Sequence, residues 1–168
     1  MKTLVSLLAT FSFLLAACQD EHSLEQELSR YGMTVSWKKE EHGIRFHMKA
    51  PTKGWICIGF NDGKGMKDSW LLMARMMNGK AELVEHFTLK PGQYHPISDL
   101  GGQEEVREVV GHEEGNYTHF SFLLPFQPAS TYQRELTTGK TYDMVMAYSR
   151  DKDFQHHSMM RTSQWITF

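Results

Sequence analysis

Two groups of residues in this 168-residue chain have types and spacings that could do chemistry. The first is Leu15-Ala16-Ala17-Cys18, small residues directly before a cysteine, closing an apolar stretch from Leu4 to Ala17 that follows Lys2. That order reads as a secretion signal ending in a lipobox, and its chemistry is cleavage before Cys18 with acylation of the cysteine. The second is His156-His157-Ser158-Met159-Met160, two imidazoles and two thioethers. Soft thioethers favour Cu(I), so this group and the general richness in methionine read as a copper-binding set. Against that, His156 and His157 would face opposite ways on a strand, and so would Met159 and Met160. Every methionine but Met1 lies beyond the signal, so any one of them reads equally as a filler of irregular core gaps.

Other chemistries find little support. Glu104-Glu105 and Glu113-Glu114 could be paired carboxylates for acid–base work, but they stand amid further charge and read as a solvated face. No nucleophile motif, phosphate-binding glycine loop or zinc-ligand spacing occurs. The chain is therefore read as an electron-transfer or ligand-binding module without independent catalytic activity. A net charge of -2 and a pI near 6.5 offer no basic stripe, which excludes nucleic acid as a partner. Asn116-Tyr117-Thr118 has the form of a glycosylation sequon. In a bacterial-type lipoprotein it reads as coincidence.

The apolar run falls short of the roughly 20 residues a membrane-spanning helix needs and gives way at once to Gln19-Asp20-Glu21-His22, so it is expected to be removed. Residues 1–17 are then the signal peptide, 18–30 a lipidated N-terminus and polar stalk, and 31–168 one folded domain. Removing 17 residues from 168 leaves 151, enough to bury a core. Each buried methylene of an acyl chain adds about 0.8 kcal/mol of membrane affinity, so a multiply acylated Cys18 holds the protein to the membrane. Gln19 stands where an aspartate commonly retains lipoproteins at the inner membrane, which favours the outer membrane. After lipidation only Cys57 remains, which excludes an intrachain disulfide and reads as a small buried hydrophobe.

Apolar residues recur mostly at a period of two, in short segments separated by Gly, Pro, Asn and Asp. Strands are expected at Met33 to Trp37, Ile44 to Met48, Trp55 to Phe60, Leu83 to Leu89, Val106 to Val110, Thr118 to Leu124, Tyr142 to Tyr148 and Gln164 to Phe168. Trp70 to Met77 contains good helix formers, yet its strand-like spacing between glycine-rich loops makes it a ninth strand. That many strands imply two packed sheets. Ile44, Phe46 and Met48 share one face, leaving Arg45, His47 and Lys49 on a wet one. His119 also reads as wet-faced, His95 as a loop residue, and His22, His42 and His112 as solvated; His86 has no assignment.

Gly54-Trp55-Ile56-Cys57-Ile58-Gly59-Phe60-Asn61, then Gly65-Met66-Lys67-Asp68-Ser69, then Leu83 to His86, then Ala147-Tyr148-Ser149 with His157 and Arg161, follow an order that resembles a DOMON domain. The resemblance spans about Ser36 to Phe168 and implies an all-β, immunoglobulin-like β-sandwich. Some members of that family are b-type cytochrome domains, others bind sugars, and others are modules attached to redox enzymes, so fold alone does not settle function. In the haem-binding members the resemblance implies a methionine after the Gly-Trp strand and a histidine near the C-terminus as axial ligands. Met66 and His157 match those positions, with His156 in reserve; Thr162 stands where a glycine commonly follows the arginine. The acidic residue after the methionine matches Asp68, for which a turn role is equally natural. A thioether with an imidazole gives six-coordinate iron with a raised potential and no open position, suited to electron transfer with a redox protein partner. The alternatives are a haem-free module taking a sugar or small ligand, with Trp55 and Trp70 as a stacking platform, and the copper protein above.

Overall fold

The computed structural model describes residues 25–168. Cys18, Gln19 and the signal lie outside them. The alternating pattern becomes strands throughout: β1 (Gln26–Arg30), β2 (Met33–Glu40), β3 (Gly43–Ala50), β4 (Ile56–Asn61), β5 (Trp70–Met77), β6 (Lys80–Lys90), β7 (Gln93–Pro96), β8 (Arg107–Glu114), β9 (Tyr117–Pro125), β10 (Thr141–Tyr148) and β11 (Met160–Thr167), with a short 3-10 helix at Ile97–Leu100. Two antiparallel sheets form, one of five strands ordered β1-β2-β3-β9-β8 and one of six ordered β11-β10-β4-β5-β6-β7. This is the expected all-β sandwich. All nine expected strands occur, and Trp70–Met77 is one of them to the residue.

Two strands were not expected. Gln26–Arg30 falls inside the segment read as a stalk, yet it pairs antiparallel with Met33–Trp37 as an edge strand. Its polar sequence carries no period-two signal because it is exposed at the rim of the sheet. Gln93–Pro96 is the short outer strand beyond β6, with Pro96 at its end, where no ladder partner is needed.

The sheets are unlike each other in polarity. In β3, Ile44, Phe46 and Met48 are buried while His47 and Lys49 are exposed, as for a sheet with one wet face. In β4 every residue is buried, and in β5 the first five are. Their inner residues, Ile56, Ile58, Phe60, Trp70, Leu72 and Ala74, join the core between the sheets. Their outer residues, Cys57, Leu71 and Met73, belong to a second apolar cluster on the far face.

The inter-sheet core centres on Phe46, whose ring lies 5.6 Å from Phe60, 5.7 Å from Phe122 and 6.1 Å from Phe168. An acidic side chain also reaches this interior. Glu85, fully buried on β6, accepts four hydrogen bonds: from the Trp70 indole at 2.9 Å, the Gln133 amide at 2.8 Å, and the backbone N–H groups of Glu105 at 2.5 Å and Val106 at 2.7 Å. Its carboxylate thereby ties β6 to the approach of β8 and to the 126–140 loop. Replacing it with Ala would orphan four donors, two of them backbone. Glu85→Ala is expected to cost about 3–5 kcal/mol of unfolding free energy, with Glu85→Gln intermediate because it keeps one acceptor; urea titration of both variants measures it.

Candidate functional site

The outer face of the six-stranded sheet is built from small and apolar side chains set in register. Val145 of β10 lies opposite Gly59 of β4, which lies opposite Leu71 of β5; in the next row Ala147 faces Cys57, which faces Met73. All but the glycine are hydrophobic, and each is at most 5 % exposed although it points away from the core, so something must cover it. Two loops do so. The turn after β4 carries Met66, and the segment 150–159 after β10 carries His157. Because β4 and β10 are antiparallel neighbours, these loops leave opposite ends of the strand pair.

Between them lies a cleft lined by Trp55, Cys57, Leu71, Met73, Val145 and Ala147 below, with Met66, Thr88, Tyr94, Gln155, His156, His157 and Arg161 around them. Its cavity volume is about 120 Å³, and it opens to solvent at its mouth. An apolar floor with few polar groups is the usual form of cofactor sites.

Both loops are held by hydrogen bonds to buried groups. The Asn61 side-chain amide, at the end of β4, donates to the carbonyls of Gly65 at 3.0 Å and Lys67 at 2.8 Å, the residues on either side of Met66. Gly65 takes a positive φ of 99° there, which suits glycine. Asp68 has no part in the cleft lining; it is a turn residue at φ 60°, its N–H bonded to the Thr88 carbonyl. The second loop starts against Gly54, where an added Cβ would come within 2.4 Å of the Ser149 carbonyl oxygen, so the Gly-Trp pair reflects a close backbone crossing. Trp55 donates from its indole to the His156 carbonyl at 3.2 Å, Ser149 from its hydroxyl to the His157 carbonyl at 3.0 Å, and the Tyr94 hydroxyl bonds the Phe154 carbonyl. The Arg75 guanidinium lies over the Phe154 ring at 4.1 Å and donates to the Lys152 carbonyl.

Met66 and His157, far apart in sequence, therefore share one cleft. Met66 is partly buried and packs on the apolar floor. The His157 imidazole makes no hydrogen bond or ion pair among the described residues, whereas His156 has Asp151 3.8 Å from its Nδ1. The Thr88 hydroxyl lines the cleft, fully buried, with no partner. Trp55 is in the floor. Trp70 is not at the site: it sits in the inter-sheet core bonded to Glu85, because the pleat turns it opposite to Leu71. A paired tryptophan platform is thus ruled out by geometry. Met159 and Met160 are likewise separated from the two histidines, Met159 lying exposed beside Pro51 and Met160 packing on the inter-sheet core. The four-donor copper grouping does not assemble.

A DOMON domain model matches residues 29–149. The chain belongs to the DOMON family. The matched segment contains Met66 and the cleft floor and ends at Ser149, before His156, His157, Arg161 and β11. No curated protein matches the chain.

Sequence reasoning did not find the residues that brace this DOMON cleft: Asn61, Arg75, His86 and Tyr94. Asn61 alone had a signal, directly after the Gly-Phe strand end. His86, unassigned from sequence, is 2 % exposed beneath the second loop, edge-on to Tyr94 at 5.7 Å and Phe154 at 5.5 Å, and donates from Nδ1 to the Val84 carbonyl at 3.1 Å. Burial pushes its pKa down from the ordinary 6.5 to about 4. The folded protein thus holds His86 neutral where the unfolded chain takes a proton, so stability rises with pH between about 4 and 6.5. At about 1.4 kcal/mol per pH unit the full effect is roughly 3 kcal/mol. Urea midpoints of wild type and His86→Leu measured from pH 7.5 down to 4.5 should diverge in that sense, the wild type losing more stability on acidification.

Proposed function

We propose that this DOMON domain binds b-type haem in the cleft on the outer face of the six-stranded sheet, with Met66 and His157 as axial ligands, and relays electrons. The observation that carries the reading is the convergence of one thioether and one unpaired imidazole from opposite ends of the strand pair onto a single apolar floor. The residues present fit the group. Val145, Gly59, Ala147 and Cys57 would give it a low apolar floor between the two loops, Leu71 and Met73 would exclude water there, and Arg161 could meet acidic substituents. When bound, such a group supplies one-electron chemistry at a potential raised by the thioether. With Met66 and His157 both holding the group, the protein would leave no open position for a substrate, which would suit electron transfer to a redox protein partner.

Asn61 acts through Met66. By holding the carbonyls that flank it, Asn61 limits the freedom of the thioether and lowers the entropic cost of ligation. On this reading the domain works in the cell envelope, exported by the N-terminal signal and tethered to a membrane through lipid on Cys18, with Gln19 favouring the outer membrane.

The test is a visible spectrum, oxidised and dithionite-reduced, of the mature chain produced in a haem-replete periplasm. A red-shifted Soret band with sharp α and β bands on reduction is expected. Met66→Ala and His157→Ala should each abolish the six-coordinate spectrum, and His156→Ala should keep it. Asn61→Ala should retain haem but shift part of the iron to a five-coordinate form. A wild-type protein that stays colourless through haem titration would sink the proposal.

A further inference from the structure

The opposite face of the molecule carries a second group of ligand-type side chains. On the wet face of the five-stranded sheet, His112 of β8 stands directly across the ladder from His119 of β9. Their rings stack at 4.6 Å and 10°. Glu114, two residues along β8 from His112, shares that face. One ligand atom from each of the three lies within 4.8 Å of the others.

We propose that His112, Glu114 and His119 form a surface binding site for a divalent late-transition cation of the Zn²⁺ type. Two imidazole nitrogens and one carboxylate are a complete set of protein ligands for a zinc ion that keeps a fourth position for water. Tetrahedral zinc with ligands at about 2.0–2.1 Å sets its ligand atoms about 3.4 Å apart, so side-chain rotations of an ångström or so close the site. The strands fix the spacing of the two histidines, and that removes most of the ordering cost of chelation.

The surrounding charges leave the three groups available. Glu113, the intervening residue, takes both nearby lysines, Lys53 at 3.6 Å and Lys152 at 3.1 Å. Glu114 makes no hydrogen bond or salt bridge among the described residues. Lys49 of β3, the cation nearest His119 across the ladder, has its ammonium over the Tyr117 ring at 4.8 Å. An open groove lined by Thr34, Ser36, His47, Val110 and Ser121 adjoins the pair and gives access for water or an anion at the free position. This site lies on the other sheet from the cleft and does not depend on the cleft's occupant.

The experiment is calorimetric titration of Zn²⁺ into the untagged mature chain at pH 7.5, with His112→Ala, His119→Ala, Glu114→Gln and the exposed His42→Ala. One equivalent should bind to wild type and to His42→Ala, the step should be lost in both alanine variants of the pair, and Glu114→Gln should bind more weakly. Zn²⁺ should raise the melting temperature of wild type and leave those of His112→Ala and His119→Ala unmoved, a comparison that also shows those variants to be folded. No Zn²⁺ step in wild type, or an undiminished step in His112→Ala and His119→Ala, would overturn the assignment.

Discussion

The six-stranded sheet is apolar on both faces, and most of what distinguishes this molecule follows from that. A sandwich needs only one dry face per sheet. Here Cys57, Leu71, Met73, Val145 and Ala147 make a second one, and side chains of this kind are worth about 1.5–3 kcal/mol each when a large one is fully buried. The covering cannot come from another sheet, so it comes from loops. The turn bearing Met66 and the segment bearing Phe154 and His157 fold down over the face, and the space left between them is the cleft.

Loops laid over an apolar surface need partners for their backbone groups, and the polar residues of this region supply them. Asn61 satisfies the carbonyls around Met66. Trp55, Ser149, Tyr94 and Arg75 satisfy those of the second loop. Glu85 performs the same service inside the sandwich, where it accepts four hydrogen bonds from β5, the approach to β8 and the 126–140 loop. Among the described residues the Thr88 hydroxyl and the His157 imidazole, both in the cleft lining, take no part in this network.

The five-stranded sheet follows the simpler rule, with one dry face and one wet. Its wet face gathers His112, Glu114 and His119 by ladder register alone, with no loop involved. The two faces thus bring polar and thioether side chains together by different means, one by loops converging over a floor and the other by direct cross-strand opposition.

The sequence by itself determined the all-β class and nearly every strand, because period-two burial is a local property that each segment states independently, as in Ile44, Phe46 and Met48. The family motifs brought Met66 and His157 into view for the same reason: they are marked by short-range neighbours. What tertiary structure decided was which face each residue takes and what meets there. Trp70 and Trp55 looked alike in sequence, yet the pleat sent one to the core and the other to the cleft floor. Gln26–Arg30 became a strand only because β2 offered it an edge. His112 and His119, each reading as a solvated residue, became neighbours because the β8–β9 ladder sets them directly opposite each other. Face and register depend on pairing between segments, and no single stretch of chain carries that information.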